Sequence, residues 1–106
     1  MIEIKEIKTK KNIFRVEAYD TETERIVGYS ELRGTEKPVP VAYCKVEELY
    51  RGKKIGSNML KMLISYAKET NREGIFARFD GNVRAKMMLK RQGFHLYTSE
   101  IALLNL

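Results

Sequence analysis

A run of basic residues and glycines, Arg51-Gly-Lys-Lys-Ile-Gly-Ser57, has the composition of a phosphate-binding turn. It leads into a segment whose apolar residues recur at helical spacing. A helix start leaves several backbone N–H groups unpaired and carries partial positive charge. Gly52 and Gly56 let the backbone approach a ligand closely, and Lys53 and Lys54 add positive charge. The run predicts a phosphate or pyrophosphate site; the alternative is an ordinary helix start with a glycine-containing entry.

A second pattern follows about thirty residues later and includes Asn82, Ala85, Met88, Arg91 and the pair Gly93-Phe94. The two patterns resemble two motifs of the GCN5-related N-acetyltransferase (GNAT) superfamily, V-x-P-x-x-R-G-x-G-[IA]-[GA] and N-x-x-A-x-x-[LM]-Y-x-[KR]-x-G-F. The matches to the first motif are Val46, Arg51, Gly52, Ile55 and Gly56. The resemblance covers about half of the chain, residues 42–94.

The resemblance implies an N-acyltransferase that uses acetyl-CoA or coenzyme A as cofactor and an amine as acceptor. It implies that backbone groups of Gly52 to Ser57 bind the pyrophosphate, and that backbone groups near Cys44 and Val46 pair with the pantetheine arm and polarise the thioester carbonyl. The full set of expected cofactor-binding residues is Cys44, Val46, Arg51, Gly52, Lys53, Lys54, Ile55, Gly56, Ser57, Asn82 and Arg91.

Two residues depart from the family pattern. Lys54 stands where the family usually has its middle glycine, and a lysine adopts positive φ only at a cost. Leu89 stands where many members have a tyrosine that is thought to protonate the CoA thiolate. Because leucine has no proton to donate, another group or water must do this, or catalysis has been lost.

The candidates for a general base are Glu31, Glu47 and Glu48, although each is also compatible with a plain surface carboxylate. Cys44 is interpreted as a small buried side chain, because no histidine neighbours it. The single histidine and single cysteine predict no metal site. Met59, Met62, Met87 and Met88 fall at helical spacing and are interpreted as core residues.

The elements that position these residues can be read from the periodicity. Alternation predicts strands over residues 2–8, 12–19, 25–32, 41–46 and 75–80, and one or two more between Phe94 and Leu106. Helices are predicted over residues 55–70 and from an N-cap at Asn82 to about Gln92. The second and third strands should form an antiparallel hairpin across the polar turn 20–24.

This order predicts an α/β (α+β) domain spanning residues 1–106, with a mixed, mostly antiparallel sheet of six to seven strands and two main helices. In the resembled family the fourth and fifth strands splay apart around the pantetheine arm. That family also has two helices between its first two strands, which usually form a wall of the acceptor site. Residues 8–11 cannot hold them, so part of the sheet or cleft should stay uncovered and the protein should be able to form a homodimer.

Composition sets the remaining bounds. No apolar run approaches the length of a bilayer span, and the alternating N-terminus is unlike a signal peptide, so a cytoplasmic, reduced protein is expected. The net charge of +6 is concentrated in residues 51–106, which carry eleven basic and four acidic residues. Besides an acyltransferase, the alternatives are a non-catalytic module that binds CoA or a protein, a solvated basic surface, and a nucleic-acid-binding domain, for which no recognisable motif is present.

Overall fold

A computed structural model describes all residues, 1–106. Its strands are β1 (Ile2–Ile7), β2 (Ile13–Asp20), β3 (Arg25–Arg33), β4 (Val41–Val46), β5 (Gly74–Arg78), β6 (His95–Leu96) and β7 (Ile101–Asn105). Its helices are α1 (Ile55–Glu69) and α2 (Val83–Arg91), and a short 3-10 turn spans Glu48–Tyr50. The predicted elements are confirmed to within a few residues, except that the 3-10 turn was not predicted.

The seven strands form one sheet in the order β1-β2-β3-β4-β5-β7-β6. Every neighbouring pair is antiparallel except β4 and β5, which are parallel because α1 connects them. The mixed, mostly antiparallel sheet with two helices is therefore confirmed. The hairpin of β2 and β3 is also confirmed, and it contains a register shift between Ala18 and Tyr19.

Both helices lie against the same face of this sheet. The buried side of α1 presents Met59, Leu60 and Leu63 at helical spacing to the inward-facing side chains of β2 to β5. Leu89 of α2 and Phe94 join the same hydrophobic core. α2 therefore packs beside the start of α1 rather than behind the sheet.

Strands β4 and β5 pair over only two positions, Val41 with Phe76 and Ala42 with Ala77. Beyond Ala42 they diverge, and the gap between them opens toward the start of α1. A gap in a sheet leaves backbone groups on its edges without a ladder partner, so this is a place where an extended ligand can pair with the strand.

Only residues 8–12 connect β1 to β2, and they form no helix. As a result one whole face of the sheet has no helix packed on it. The molecule is 17 Å across its shortest axis, which is the thickness of a sheet with a single helix layer. None of the helices is long and apolar enough to cross a membrane.

Candidate active site

A cleft of about 940 Å³ lies at the open end of the β4–β5 gap, between the start of α1 and one side of α2. Its size is within the usual range for pockets that hold a cofactor. Six cationic side chains line it and no carboxylate does. The cations are Lys45, Arg51, Lys54, Lys61, Arg84 and Arg91. The electrostatics of the cleft therefore favour a polyanion.

Of the eleven residues that sequence analysis assigned to the cofactor, ten line this cleft. The exception is Lys53, which does not line the cleft and whose Nζ lies 5.4 Å from the centre of the Tyr50 ring. The cleft residues come from two stretches that lie far apart in sequence, 44–57 and 82–92. Their assembly into one cleft is what the paired motifs predicted.

The loop before α1 presents a row of free donors. The backbone N–H groups of the six consecutive residues from Gly52 to Ser57 donate to no protein acceptor. No side chain caps the start of α1, whereas at α2 the side chain of Asn82 accepts from the N–H of Ala85 at 3.0 Å. Unpaired N–H groups at a positive helix end are the usual means of holding a phosphate.

Two residues of this loop have left-handed backbone: Gly52 with φ of 80° and Lys54 with φ of 64°. Glycine adopts this conformation freely, but for lysine it costs roughly 1–2 kcal/mol. Lys54 therefore takes the backbone conformation that the family's glycine would take, and it does so under strain. Left-handed residues in such a loop help to turn neighbouring N–H groups toward one side, where an anion can bind.

Contacts to neighbouring strands hold the loop in place. Nε of Arg51 donates to the carbonyl of Val46 at 3.1 Å, which ties the loop to the end of β4. The hydroxyl of Tyr50 donates to Asp20 at 2.6 Å, and this hydrogen bond, followed by one from the N–H of Glu22, lowers the pKa of the Asp20 carboxyl. Sequence reasoning missed Asp20 and Tyr50, because their contact joins residues thirty positions apart.

Helix α2 forms the other wall. Nε2 of Gln92 donates to Oγ of Ser57 at 2.7 Å and so joins the end of α2 to the start of α1. Arg84 reaches toward Gly52, where its Nη2 would lie 3.7 Å from an added β-carbon. The sequence analysis assigned neither Gln92 nor Arg84 to the site, although both fall on the same helical face as Met88, which the second motif includes.

The floor of the cleft is formed by Cys44 and Val46 below Gly56. A β-carbon at Gly56 would lie 3.5 Å from Sγ of Cys44 and 3.7 Å from Sδ of Met88, which are ordinary contacts. Alanine would fit at this position, but a longer side chain would extend into the cleft.

The interpretation of Cys44 as a buried side chain is wrong, because the residue is exposed where the helices leave the gap open. Desolvation by the surrounding protein still raises the pKa of the thiol, against a smaller opposing effect of a hydrogen bond with Ser30. Cys44 is thus an accessible, protonated thiol rather than a thiolate nucleophile. The core assignment of Met87 is also wrong, since it is 49% exposed and lines the cleft.

Two of the three carboxylates named as base candidates, Glu31 and Glu47, are held by arginines. Glu31 accepts from Nη1 of Arg15 at 2.6 Å and from Nε of Arg33 at 2.8 Å. Partial burial alone would raise the pKa of Glu31, but these hydrogen bonds outweigh it and lower the pKa. Glu47 is paired with Arg25 at 3.0 Å, and Glu48 is exposed in the 3-10 turn.

Leu89 is only 4% exposed and faces the core, not the cleft. His95 lies in β6 and does not line the cleft. No group of three or more histidine, cysteine, aspartate or glutamate side chains is arranged to hold a metal ion. A second cavity of about 290 Å³ lies between α1 and the β1–β2 edge and contains none of the motif residues.

A parallel strand pair that splays beside an unpaired, cation-flanked helix start is the arrangement that the two sequence motifs led us to expect. The sequence model of the Acetyltransferase (GNAT) family matches residues 3–94, and the chain belongs to this family. No curated protein sequence matches the chain significantly.

Solved structures share the fold at low sequence identity. A domain from Methanocaldococcus jannaschii superposes with a TM-score of 0.79 at 20% identity, over 92% of this chain and 70% of that one. An acetyltransferase of the GNAT family from Staphylococcus aureus superposes with a TM-score of 0.75 at 21% identity, over 89% of this chain and 68% of that one. The IAA acetyltransferase from Bacillus cereus superposes with a TM-score of 0.82 at 14% identity, over 100% of both chains.

Proposed function

We propose that this protein transfers an acyl group, acetyl by default, from acyl-CoA to an amine acceptor by direct attack of the amine on the thioester. The observation that carries the proposal is the row of six free N–H groups from Gly52 to Ser57, inside a cleft with six cations and no carboxylate. Pyrophosphate matches such a row in charge and in hydrogen-bonding capacity.

The cofactor's pantetheine arm fits the gap between β4 and β5. Cys44 has no partner on β5, so the strand edge there can pair with the amides of the arm. The carbonyl of Val46 already accepts from Arg51, which leaves the backbone near Cys44 as the part of β4 available to the thioester. Gly56 keeps the space above Cys44 free of side chain.

In the transfer itself, the amine nitrogen bonds to the thioester carbon, the carbon–sulfur bond breaks, and the amine gives up its proton to solvent water. Because the pantetheine arm enters from the helix side of the sheet, the amine approaches from the opposite face. Glu31 and Tyr43 pair across strands on that face. Both oxygens of Glu31 are held by arginines and its pKa is lowered, so it accepts a proton only weakly. Since Leu89 is buried in the core, the leaving thiolate takes its proton from solvent in the open cleft.

One observation favours a second candidate, a module that binds CoA without catalysis. The buried Leu89 supplies no acid, and no helix covers the face from which the acceptor would approach. The two candidates share cofactor binding and differ only in turnover. Time-dependent release of free CoA thiol with a panel of small amines and amine-bearing peptides separates them: release above the acceptor-free rate supports the transferase, and its absence in protein shown to bind the cofactor supports the module.

The single cysteine offers a direct test of cofactor placement. Cys44 lies at the cleft floor, so acetyl-CoA or desulfo-CoA should slow its alkylation by a maleimide at least fivefold. AMP, which lacks the pantetheine arm, is the matched control and should protect much less. Equal alkylation rates with and without saturating cofactor would contradict the placement. A reduced, exposed thiol is also consistent with a cytoplasmic location, which we include in the proposal.

A further inference from the structure

The face of the sheet that carries no helix is a broad uncovered surface; we call it the open face. Its side chains alternate with those of the core along each strand, as the pairings Glu17 with Tyr29 and Glu31 with Tyr43 show. The two longer dimensions of the molecule are 38 and 31 Å. A flat face of that size offers on the order of 1,000 Å² to a partner, and a standard protein interface needs about 800 Å² from each side.

An apolar row crosses three strands of the open face. Val41 of β4 pairs with Phe76 of β5, and Phe76 pairs with Leu103 of β7. Ile101 lies two residues along β7 on the same face, and Tyr97, which is 61% exposed, contacts Phe76 edge-on with ring centres 5.1 Å apart. Contiguous apolar side chains on a sheet face that lacks a second layer mark a surface that is buried in an assembly.

The charges of the open face are balanced, unlike those of the rest of the protein. Five cations and five carboxylates lie on it or at its edge, many of them in ion pairs with one another. They are Lys5, Arg15, Arg33, Lys45 and Arg78, and Glu3, Glu17, Glu31, Asp80 and Glu100. Lys45, at the end of β4, pairs with Tyr29 on the open-face side and also borders the cleft. The excess of +6 is therefore carried elsewhere, and two copies can meet at this face without net repulsion. An acidic partner such as a nucleic acid would find no excess of positive charge here.

We propose that the open face binds the open face of a second copy of this chain, about a two-fold axis near Phe76. In such an arrangement the same surface serves on both sides, so the apolar row of one copy covers that of the other. The second copy also roofs the region beside Tyr43 and Arg78, at the point where β4 and β5 diverge. This roof would form the missing wall of the acceptor site, a part of the proposal that rests on the proposed function.

The mass in solution tests the dimer. Sedimentation or light scattering at 5–200 µM should give about 25 kDa, twice the 12.4 kDa of the chain. Leu103→Asp places a charge in the apolar row and should weaken dimerisation at least a hundredfold. Leu49→Asp is the matched control, because Leu49 is 85% exposed in the 3-10 turn, away from the open face, and its variant should remain dimeric.

Ile101→Lys provides a second disruption at the same surface if Leu103→Asp fails to fold by circular dichroism. A wild-type protein that is monomeric at 200 µM would overturn the proposal, as would a folded Leu103→Asp or Ile101→Lys variant that stays dimeric. A monomeric wild type would mean that a second copy does not cover the open face. A folded variant that stays dimeric would mean that the dimer contact lies elsewhere on the molecule.

The acceptor wall has its own readout. The monomeric variant should bind acetyl-CoA with unchanged affinity, because the open face lies on the other side of the sheet from the cleft, but its kcat/KM for amines should fall at least tenfold. Equal kcat/KM in monomer and dimer would overturn the wall and leave the dimer standing. Loss of cofactor binding in the wild type would instead refute the proposed function without bearing on the mass measurement.

Discussion

Replacing Lys54 with glycine should stabilise the protein, although it removes a side chain. Lys54 has φ of 64°, a conformation that costs a lysine roughly 1–2 kcal/mol and glycine almost nothing. Against this gain stands the greater chain entropy that glycine gives the unfolded state, about 0.5–1 kcal/mol. The net expectation is a gain of about 0.5–1 kcal/mol in the free energy of unfolding, measured by urea denaturation.

Lys53→Gly is the control that isolates the strain. It removes the same charge and adds the same unfolded-state entropy, but Lys53 is not among the residues with positive φ. The two variants should therefore differ by roughly the strain itself, about 1–2 kcal/mol, or several degrees in Tm for a domain of this size. If Lys54→Gly is no more stable than Lys53→Gly, the left-handed conformation of Lys54 is not a cost to folding. Under the proposed function, Lys54→Gly should also bind CoA more weakly, because Lys54 lines the cleft and Lys53 does not.

Three further predictions concern residues around the cleft. Tyr50→Phe removes the hydrogen bond that lowers the pKa of Asp20, so above the ordinary carboxyl range the wild type should have the larger free energy of unfolding. This difference in stability should shrink as pH falls from 5 to 3. A difference that is constant with pH would refute the prediction. Leu89→Tyr adds volume to a packed core and should cost about 1–3 kcal/mol in denaturation, so a folded variant of unchanged stability would show that the side chain points elsewhere. Alkylation of Cys44 should be slow at pH 7 and accelerate steadily toward alkaline pH, because the pKa of its thiol is raised. A rate that levels off below pH 8 would show that the thiol is already ionised there and would contradict the raised pKa.

The fold was predictable because the patterns that specify it are local. Alternation in β2 and β3, the 3.6-residue spacing in α1 and the Asn82 cap each determine their own element, and the short β1–β2 connection leaves no room for further helices. The cleft was predictable to the extent that two local motifs fix its two walls.

What the sequence did not reveal depends on how distant elements meet. The alternation of Ala42, Cys44 and Val46 places Cys44 on the helix side of β4, but only the splay of β4 from β5 leaves its thiol accessible. The Asp20–Tyr50 and Ser57–Gln92 contacts each join side chains thirty or more residues apart. No local pattern encodes such pairs, and both position the loop that the motif identifies.

The central claim is that the loop from Gly52 to Ser57 binds the pyrophosphate of an acyl-CoA, and calorimetric titration of acetyl-CoA into matched variants tests it most directly. Gly56→Asp places a carboxylate beside the free N–H groups and should lower affinity at least tenfold, about 1.4 kcal/mol or more. Lys53→Ala, outside the cleft, should change the binding free energy by less than about 1 kcal/mol. Binding by the wild type, lost selectively in a folded Gly56→Asp variant, is the predicted result. No binding at millimolar acetyl-CoA, or equal small losses in both variants, would contradict the claim.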